Sequence, residues 1–289
     1  MTPRPQTSAE RARRITGCAT LGMEIHEDPA RAGAHVDATL SATQDCHGRM
    51  ARGAMLVLAD QALASGVFAA FGAGQAMMTL DLRTDWLALP PRGATIEACV
   101  ERVIRHGNIV AVYGVLVAQG DLPRTIVATS CARFLTGAFP GGGDVMADLP
   151  HNDAQASTAA DFAALLALQA GYDEAVLPPN AALIGSPMLP AVHGGFIAAA
   201  LEAASSALVP AMPGWAAVNI EVRYIRPALA TAPLHIVPKL LRASRRTLII
   251  EAQALQGDDR KLVATAKLMF FHSDAADAPV EVVNLARAT

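Results

Sequence analysis

The feature that most restricts the fold of this chain is an internal repeat. Residues 100–105, VERVIR, resemble residues 237–242, VPKLLR, and the tripeptide QGD at residues 119–121 returns at residues 256–258. The series continues in the same order with IVAT and LVAT, and upstream with DLRTDWLALP and NIEVRYIRP. An ordered series at a nearly constant spacing indicates a structural unit that occurs twice. The chain therefore consists of two homologous halves.

The boundary between the halves lies in a segment without periodicity. Residues 136–158 are rich in Gly, Pro, Asp and Asn, a composition typical of a linker. With 289 residues, the chain is long for one domain and sufficient for two domains of about 100–150 residues each. We predict an N-terminal domain over residues 1–140, a linker over residues 141–158 and a C-terminal domain over residues 159–289.

Each half has the same predicted order of elements. A short helix (residues 8–18, then 159–169) precedes a long helix rich in Ala and Leu (residues 54–71, then 196–208). One apolar helix followed by antiparallel strands predicts an α+β fold, in which a curved sheet wraps around a buried helix. The strands show β-branched alternation between turn residues and are predicted at residues 77–86, 95–105, 109–119 and 125–135, and again at residues 216–225, 234–241, 247–255 and 262–271.

Composition argues against several classes of function. Apolar residues make up 52% of the chain and charged residues 17%, and the net charge of −3 comes without a concentrated basic stripe, so we expect no nucleic-acid partner. The N-terminus has no apolar segment typical of a signal peptide, and interrupted apolar stretches predict no membrane partner. The four cysteines form no CxxC pair, which is typical of reduced thiols in a cytoplasmic protein. The histidines lack ligand spacing, so no metal site is expected.

The most informative residues are a carboxylate inside each apolar helix. Asp60 lies in AMLVLADQALASG and Glu202 lies in FIAAALEAASSAL, at the same place in the two repeats. An ionised group in such apolar surroundings is costly unless it has a partner. A single carboxylate could belong to the polar stripe of a helix. Its recurrence in both halves favours a functional role, for Asp60 in particular.

The start of each apolar helix is the second candidate feature. His193, Gly194 and Gly195 open the second helix, and residues 51–53, Ala-Arg-Gly, open the first. Glycine lets a ligand approach the backbone closely. The free N–H groups and the positive end of the helix dipole favour negative charge. In acyl-transfer chemistry this charge is the developing oxyanion.

The spacing of these features predicts how they combine. Glu202 lies nine residues after His193, and Asp60 lies nine residues after Ala51. Nine helical residues rise about 13–14 Å, which is far beyond hydrogen-bond reach. A carboxylate therefore cannot act together with the start of its own helix. The site must pair the start of one helix with the carboxylate of the other.

These helices and the strands that follow them resemble the PaaI-type hotdog thioesterases. The resemblance is carried by CHGRMARGAMLVLADQALASG and LPAVHGGFIAAALEAAS, and it covers residues 20–135 and 160–272. It implies two tandem hotdog domains, each an antiparallel sheet wrapped around a central helix, paired as an intrachain pseudo-dimer. It also implies hydrolysis of a small or medium acyl- or aryl-CoA, without a metal and without a cofactor other than the coenzyme A of the substrate.

In that family the HGG segment polarises the thioester carbonyl. An Asp of the partner helix acts as base or nucleophile, and a Ser or Thr in the following strand assists. Carried over to this chain, one nearly complete site joins His193, Gly194 and Gly195 with Asp60 and Thr79.

The second site implied by the resemblance is degenerate. It joins Arg52 and Gly53 with Glu202, but Ala51 replaces the motif histidine and Ala217 replaces the residue that carries the hydroxyl. We therefore expect one working site per chain.

Coenzyme A and a second chain are the remaining expected partners. Arg223 and Arg226 could contact the phosphates of coenzyme A, or they could belong to a solvated face. Trp86 and Tyr224 occupy equivalent positions in the repeat and are expected to be packing residues. One chain already supplies a pair of hotdog units, and such pairs can associate further, so a homodimer of chains is possible.

Two other functions remain open from the sequence. His193 and Asp60 could act on the α and β carbons of an acyl thioester, as in hotdog hydratases and dehydratases. A non-catalytic acyl-CoA-binding protein would be consistent with Ala51 in place of the motif histidine. It would also be consistent with Asp45 and Pro187, which stand where the family often has an asparagine.

Overall fold

The computed structural model describes residues 15–36, 40–72, 77–119, 124–137, 156–171, 173–185 and 190–273. Most of the predicted linker, residues 141–155, lies outside the described residues. Residues 8–14 of the first predicted helix also lie outside them. The domain boundaries therefore stay predictions.

The N-terminal half combines a long buried helix with strands of very different length. Its described helices are α1 (Thr16–Thr20) and α2 (Arg52–Phe71), with a 3-10 turn at Ser41–Thr43. Its described strands are β1 (Glu24–His26), β2 (Gly33–Val36), β3 (Met77–Trp86), β4 (Thr95–His106), β5 (Ile109–Gln119) and β6 (Thr125–Thr136).

The C-terminal half repeats this order. Its described helices are α3 (Phe162–Leu166) and α4 (Gly194–Ser206), with a 3-10 turn at Ala181–Leu183. Its described strands are β7 (Gln169–Ala170), β8 (Ala175–Leu177), β9 (Trp215–Tyr224), β10 (Leu234–Ala243), β11 (Thr247–Gln256) and β12 (Lys261–His272).

All of these strands belong to one sheet, in the order β1-β2-β4-β5-β6-β3-β9-β12-β11-β10-β8-β7. Neighbouring strands are antiparallel, and β3 pairs with β9 to join the two halves. Each half-sheet packs against its own long helix, α2 or α4. The α+β prediction of two sheets wrapped around central helices and paired within one chain is confirmed.

The pairing of β3 with β9 is nearly symmetric about a two-fold axis. Asp81 lies opposite Arg223, Arg83 opposite Glu221, and Asp85 opposite Asn219. Arg83 and Glu221 hold the same position in DLRTDW and NIEVRY, so each faces its own repeat equivalent. The pseudo-two-fold axis therefore passes between these two residues.

Helix α2 is the centre of the core. Residues 53–67 are all buried, because α2 packs between its own half-sheet and α4. By length and composition this helix is apolar enough to cross a membrane, although the sequence showed only interrupted apolar stretches. Its burial inside the protein accounts for that character, since a helix that is apolar all round is suited to a core.

Helices α2 and α4 contact each other closely at glycines. A Cβ added at Gly195 would lie 2.4 Å from Val57 Cα, and a Cβ added at Gly53 would lie 3.0 Å from Ala199 Cβ. The two contacts are repeat equivalents. The start of each helix thus lies against the middle of the other, where the carboxylates are.

Candidate active site

Helix α4 begins at His193 in a way that directs its first amides towards α2. His193 is the N-cap residue, and its Nδ1 accepts a hydrogen bond of 3.1 Å from the Gly195 N–H. This bond satisfies one of the N–H groups that a helix start leaves without a partner. The Gly195 N–H and the imidazole therefore lie on the same side of the helix start.

Asp60 reaches this helix start from α2. Its Oδ2 accepts from the Gly195 N–H at 3.0 Å and lies 3.3 Å from His193 Nδ1. Its Oδ1 accepts from the Thr79 hydroxyl at 3.1 Å. A Cβ added at Gly194 would lie 2.7 Å from Oδ2, so only glycine fits there without displacing the carboxylate. The structure brings together all five residues that the sequence assigned to the first site.

Burial changes the proton affinities of the two central groups in opposite directions. Burial raises the pKa of Asp60, while the charge of His193 and the hydrogen bonds from Thr79 and Gly195 lower it. Burial lowers the pKa of His193, and the charge of Asp60 opposes this. The carboxyl of Asp60 therefore binds a proton more readily than an ordinary aspartate does, and the imidazole of His193 binds one less readily than an ordinary histidine does.

Two residues that the sequence analysis did not single out complete the surroundings of His193. Gln61 Oε1 lies 3.2 Å from His193 Nε2 and 3.3 Å from Cys18 Sγ. Burial raises the pKa of the Cys18 thiol, so this residue stays an S–H donor. One sequence signal pointed to Gln61, since it is a second polar residue beside Asp60 in an otherwise apolar stretch of α2.

Tyr224, expected to be a packing residue, also contacts the helix start. It packs against the core, and its hydroxyl donates to the Gly194 carbonyl at 2.9 Å. Burial, together with the charges of Asp60 and Asp81, raises the pKa of this phenol well above its ordinary value. The residue is therefore a neutral hydrogen-bond donor that holds the first turn of α4 against β9.

The second candidate site has a carboxylate with different partners. Glu202 is buried and accepts a 3.0 Å hydrogen bond from Ser206, a residue of its own helix. Burial raises its pKa, and the charge of Arg52 together with the Ser206 bond lowers it. Ala217, buried in β9, offers no hydroxyl. The hydroxyl partner of Glu202 therefore comes from its own helix and not from the following strand, and Ala51 stands where the imidazole would be.

The start of α2 is also packed differently from the start of α4. A Cβ added at Gly53 would lie 2.3 Å from the ring of Phe162, which stacks on Phe196 at 6.1 Å between centroids. The Arg52 guanidinium lies over the Trp86 ring, 5.9 Å from its centroid. Aromatic rings thus pack against the start of α2, at Gly53 and at Arg52.

The two arginines proposed for coenzyme A lie near one end of β9. Arg223 pairs with Asp81 at 3.1 Å and remains largely exposed, and Arg226 is exposed. Asp81 also pairs with Arg133 at 2.9 Å. Neither arginine is buried, and contact with phosphates stays a prediction.

The two positions of the family's asparagine differ in what the structure shows. The carboxylate of Asp45 accepts from the His47 and Arg49 N–H groups at 2.8 and 3.0 Å and so stabilises its own turn. Pro187 lies outside the described residues. The turn around Asp45 gives this carboxylate a local structural role.

Comparison with known families gives a match in the second half of the chain. Residues 185–271 match the profile of the acyl-CoA thioesterase N-terminal domain. This segment contains His193, Gly194 and Gly195 and continues to the end of β12. No curated protein sequence matches the chain.

Several solved structures share the fold over nearly the whole chain. The TesB protein of Mycobacterium avium subspecies paratuberculosis has a TM-score of 0.61 at 14% identity, over 88% of this chain and 97% of its own. Acyl-CoA thioesterase II TesB2 of Mycobacterium marinum has a TM-score of 0.51 at 13% identity, over 86% and 94%. A hotdog-fold protein of Alicyclobacillus acidocaldarius has a TM-score of 0.52 at 15% identity, over 88% and 98%.

These comparisons confirm the tandem hotdog fold. In each case most of this chain aligns with nearly the whole of the solved chain, so the likeness extends over both halves. The match over residues 185–271 is to a thioesterase domain, in agreement with the resemblance read from the sequence. The narrower PaaI-type assignment stays a prediction.

Proposed function

We propose that this chain is an acyl-CoA thioesterase with one working site, formed where Asp60 and Thr79 of the first half meet the start of α4 in the second. The observation that carries the proposal is the 3.0 Å contact between Asp60 and the Gly195 N–H. It places a carboxylate with a raised pKa at the positive end of a helix, beside a neutral imidazole. Acyl transfer needs a proton acceptor and an oxyanion site that can both reach one thioester carbonyl.

The proposed reaction begins when the thioester carbonyl oxygen takes the place of Asp60 Oδ2 at the Gly195 N–H. The freed carboxylate, still held by Thr79 at Oδ1, accepts a proton from a water molecule. The water oxygen attacks the carbonyl carbon, and negative charge develops on the carbonyl oxygen at the start of α4, where the helix dipole stabilises it.

The tetrahedral intermediate then collapses with cleavage of the carbon–sulfur bond. The leaving thiolate receives the proton held by Asp60, so the products are a carboxylic acid and a free thiol, and the carboxylate is regenerated. We favour the general-base role over nucleophilic attack because His193 Nδ1, 3.3 Å from Oδ2, offers the transferred proton a second acceptor.

The substrate in this proposal is a small or medium acyl- or aryl-CoA. The matched domain supports coenzyme A as the carrier. We assign its phosphates to Arg223 of β9 and to Arg226, which follows the end of that strand, because both are exposed and lie close in sequence to Tyr224, whose hydroxyl contacts Gly194. Asp60 is only 4% exposed and His193 only 6%, which favours a compact acyl group at the reacting centre.

Thiol release from a panel of acyl-CoAs tests the proposal. Short, long and aryl acyl-CoAs are incubated with the wild type, the Asp60→Asn variant and the matched Glu202→Gln variant. Loss of the general base should reduce turnover by about 10²–10⁴-fold in Asp60→Asn. Glu202→Gln should retain turnover, since Ala51 stands in place of the imidazole and the hydroxyl partner of Glu202 is Ser206 of its own helix.

The contradicting outcomes also identify the two alternative functions. A change in ultraviolet absorbance without free thiol would indicate hydration or dehydration. Saturable acyl-CoA binding without any product would indicate a binding protein. Equal loss of thiol release in both variants would mean that both sites work.

We further propose a cytoplasmic location and leave a homodimer of chains as a prediction. The four cysteines are free thiols, and Cys18 lies in the core as a hydrogen-bond donor, a state that a reducing compartment maintains. Light scattering during size-exclusion chromatography measures the number of chains in the assembly.

A further inference from the structure

Gln61 is a buried polar residue that the proposed reaction does not use. It follows Asp60 on α2 and is only 4% exposed, so its amide cannot rely on water for hydrogen bonds. Its Oε1 faces two groups, His193 Nε2 at 3.2 Å and Cys18 Sγ at 3.3 Å. Cys18 is fully buried and carries its proton, so it donates to this oxygen.

The hydrogen bonds around His193 determine which of its nitrogens carries the proton. A neutral imidazole has one donor and one acceptor nitrogen. The Gly195 N–H donates to Asp60 Oδ2 at 3.0 Å and also points at Nδ1 at 3.1 Å, and this second bond requires a lone pair on Nδ1 and therefore the proton on Nε2. The Nε2–H group then requires an acceptor, which Gln61 Oε1 supplies. A rotated Gln61 amide would instead place two donors against each other.

We infer that Gln61 is a positioning residue that holds His193 in its Nε2–H tautomer. With the proton on Nε2, the lone pair of Nδ1 caps α4 and faces Asp60 Oδ2 at 3.3 Å. This inference rests on the proposed function, since the lone pair matters there as the second acceptor for the proton that Asp60 removes from water. In the other tautomer, an Nδ1–H group would donate to Asp60 Oδ2, the Gly195 N–H would keep Oδ2 alone as its acceptor, and no lone pair would be left for the transferred proton.

The degenerate site supports this pairing independently. In the repeat, Ala51 stands where His193 is, and Ala203 stands where Gln61 is. The histidine and its acceptor are therefore absent together from the second site. Helix packing alone does not explain this, because α2 and α4 cross in the same way at both ends. This is expected if Gln61 serves to orient His193, because without the histidine the second site needs no acceptor at Ala203.

Nitrogen-15 NMR of histidine-labelled protein tests the inference. The His193 signals, assigned by their loss in a His193→Gln variant, should show a neutral Nε2–H tautomer in the wild type. Gln61→Leu removes the acceptor and should give a mixture of tautomers, with a kcat lower by about 10–100-fold, as for other residues that orient a functional histidine. Gln61→Glu keeps an acceptor oxygen and should restore the Nε2–H group. Its negative charge should also raise the pKa of His193 and move the pH profile.

Ser65→Ala is the matched control. Ser65 is buried on the same helix and donates to Gly33 and Ala62 backbone oxygens, away from His193. Its loss should lower stability without changing the tautomer or kcat. A wild-type His193 with the proton on Nδ1 would overturn the inference, and so would unchanged tautomer and kcat in Gln61→Leu.

The tautomer measurement needs no substrate and therefore separates the two proposals. If the wild type cleaves no thioester but shows the Nε2–H tautomer that Gln61→Leu disturbs, the positioning role stands and the function fails. If Gln61→Leu does not fold, the wild-type tautomer and the Gln61→Glu spectrum decide.

Discussion

At the scale of single residues, the partners of Asp60 control when it is ionised. Burial raises the pKa of this carboxyl, and the Thr79 hydroxyl, 3.1 Å from Oδ1, is one of three groups that lower it again. A general base works only as the carboxylate. The rate should therefore fall on acidification at a higher pH than an ordinary aspartate would give.

Replacement of Thr79 tests this balance. Thr79→Val keeps the β-branched shape but removes the hydrogen bond that stabilises the ionised form. The pKa of Asp60 should rise further, so the acid limb of the kcat–pH profile should move to higher pH, and kcat should fall moderately at neutral pH. Ser65→Ala, which also removes a buried hydroxyl, should leave the limb in place. An unmoved limb in Thr79→Val would show that this bond does not set the ionisation of Asp60.

The sequence could predict the residues that belong to the repeated motif and not those whose role depends on contacts between distant parts of the chain. Asp60 and His193 stood out because each repeat has an equivalent for comparison. Gln61, Cys18 and Tyr224 act through partners 30 or more positions away in the chain, His193 and Gly194 among them. Such contacts depend on how α1, α2 and β9 pack around α4, which residue periodicity does not encode.

At the scale of elements, the crossing of α2 and α4 aligns the site. A Cβ at Gly195 would meet backbone, Val57 Cα at 2.4 Å and Leu56 O at 3.0 Å. Backbone inside a packed helix cannot move aside, so the two helices must separate. Gly195→Ala should therefore cost about 1–3 kcal/mol of stability, as overpacking does, and should also reduce kcat by moving the Gly195 N–H away from Asp60.

Gly53→Ala is the matched comparison at the equivalent position. Its Cβ would meet side chains, the ring of Phe162 at 2.3 Å and Ala199 Cβ at 3.0 Å, and an aromatic ring can rotate. Urea unfolding should show a smaller loss of stability than for Gly195→Ala, and thiol release should be nearly unchanged. Equal losses of activity in the two variants would mean that the contacts at Gly53 and Gly195 are equally important for the active site.

Periodicity predicted the long elements well for a physical reason. Strands β3–β6 and β9–β12 begin and end within two residues of their predicted limits, because ten or more residues of alternation define a face. The sequence did not reveal β1, β2, β7 and β8, which have two to four residues each. Pairing with β4 and β10 sets the place of β2 and β8, and these two strands in turn pair with β1 and β7, which is a tertiary effect.

At the scale of the whole molecule, the pseudo-two-fold axis passes between unlike charges. Arg83 Nη1 and Glu221 Oε1 lie 2.9 Å apart, and the two residues are repeat equivalents. Two N-terminal halves that paired in this register would place arginine against arginine, and two C-terminal halves would place glutamate against glutamate. The pair therefore favours association of the first half with the second over association of identical halves.

Reversal of these charges measures that preference. Arg83→Glu alone opposes two acidic side chains on the axis, and Glu221→Arg alone opposes two basic ones, so each should destabilise the protein. The double reversal restores an attractive pair. Both side chains are 46% exposed, so the coupling energy should be only about 0.2–1 kcal/mol and should decrease as salt screens the charges.

A double-mutant cycle of urea unfolding measures this coupling energy. New repulsions within one strand, such as that with Asp85, occur equally in the single and double variants and cancel in the cycle. A coupling energy of zero at low salt would show that backbone pairing and core packing alone select the partner half, and that the charges on the axis have no part in it.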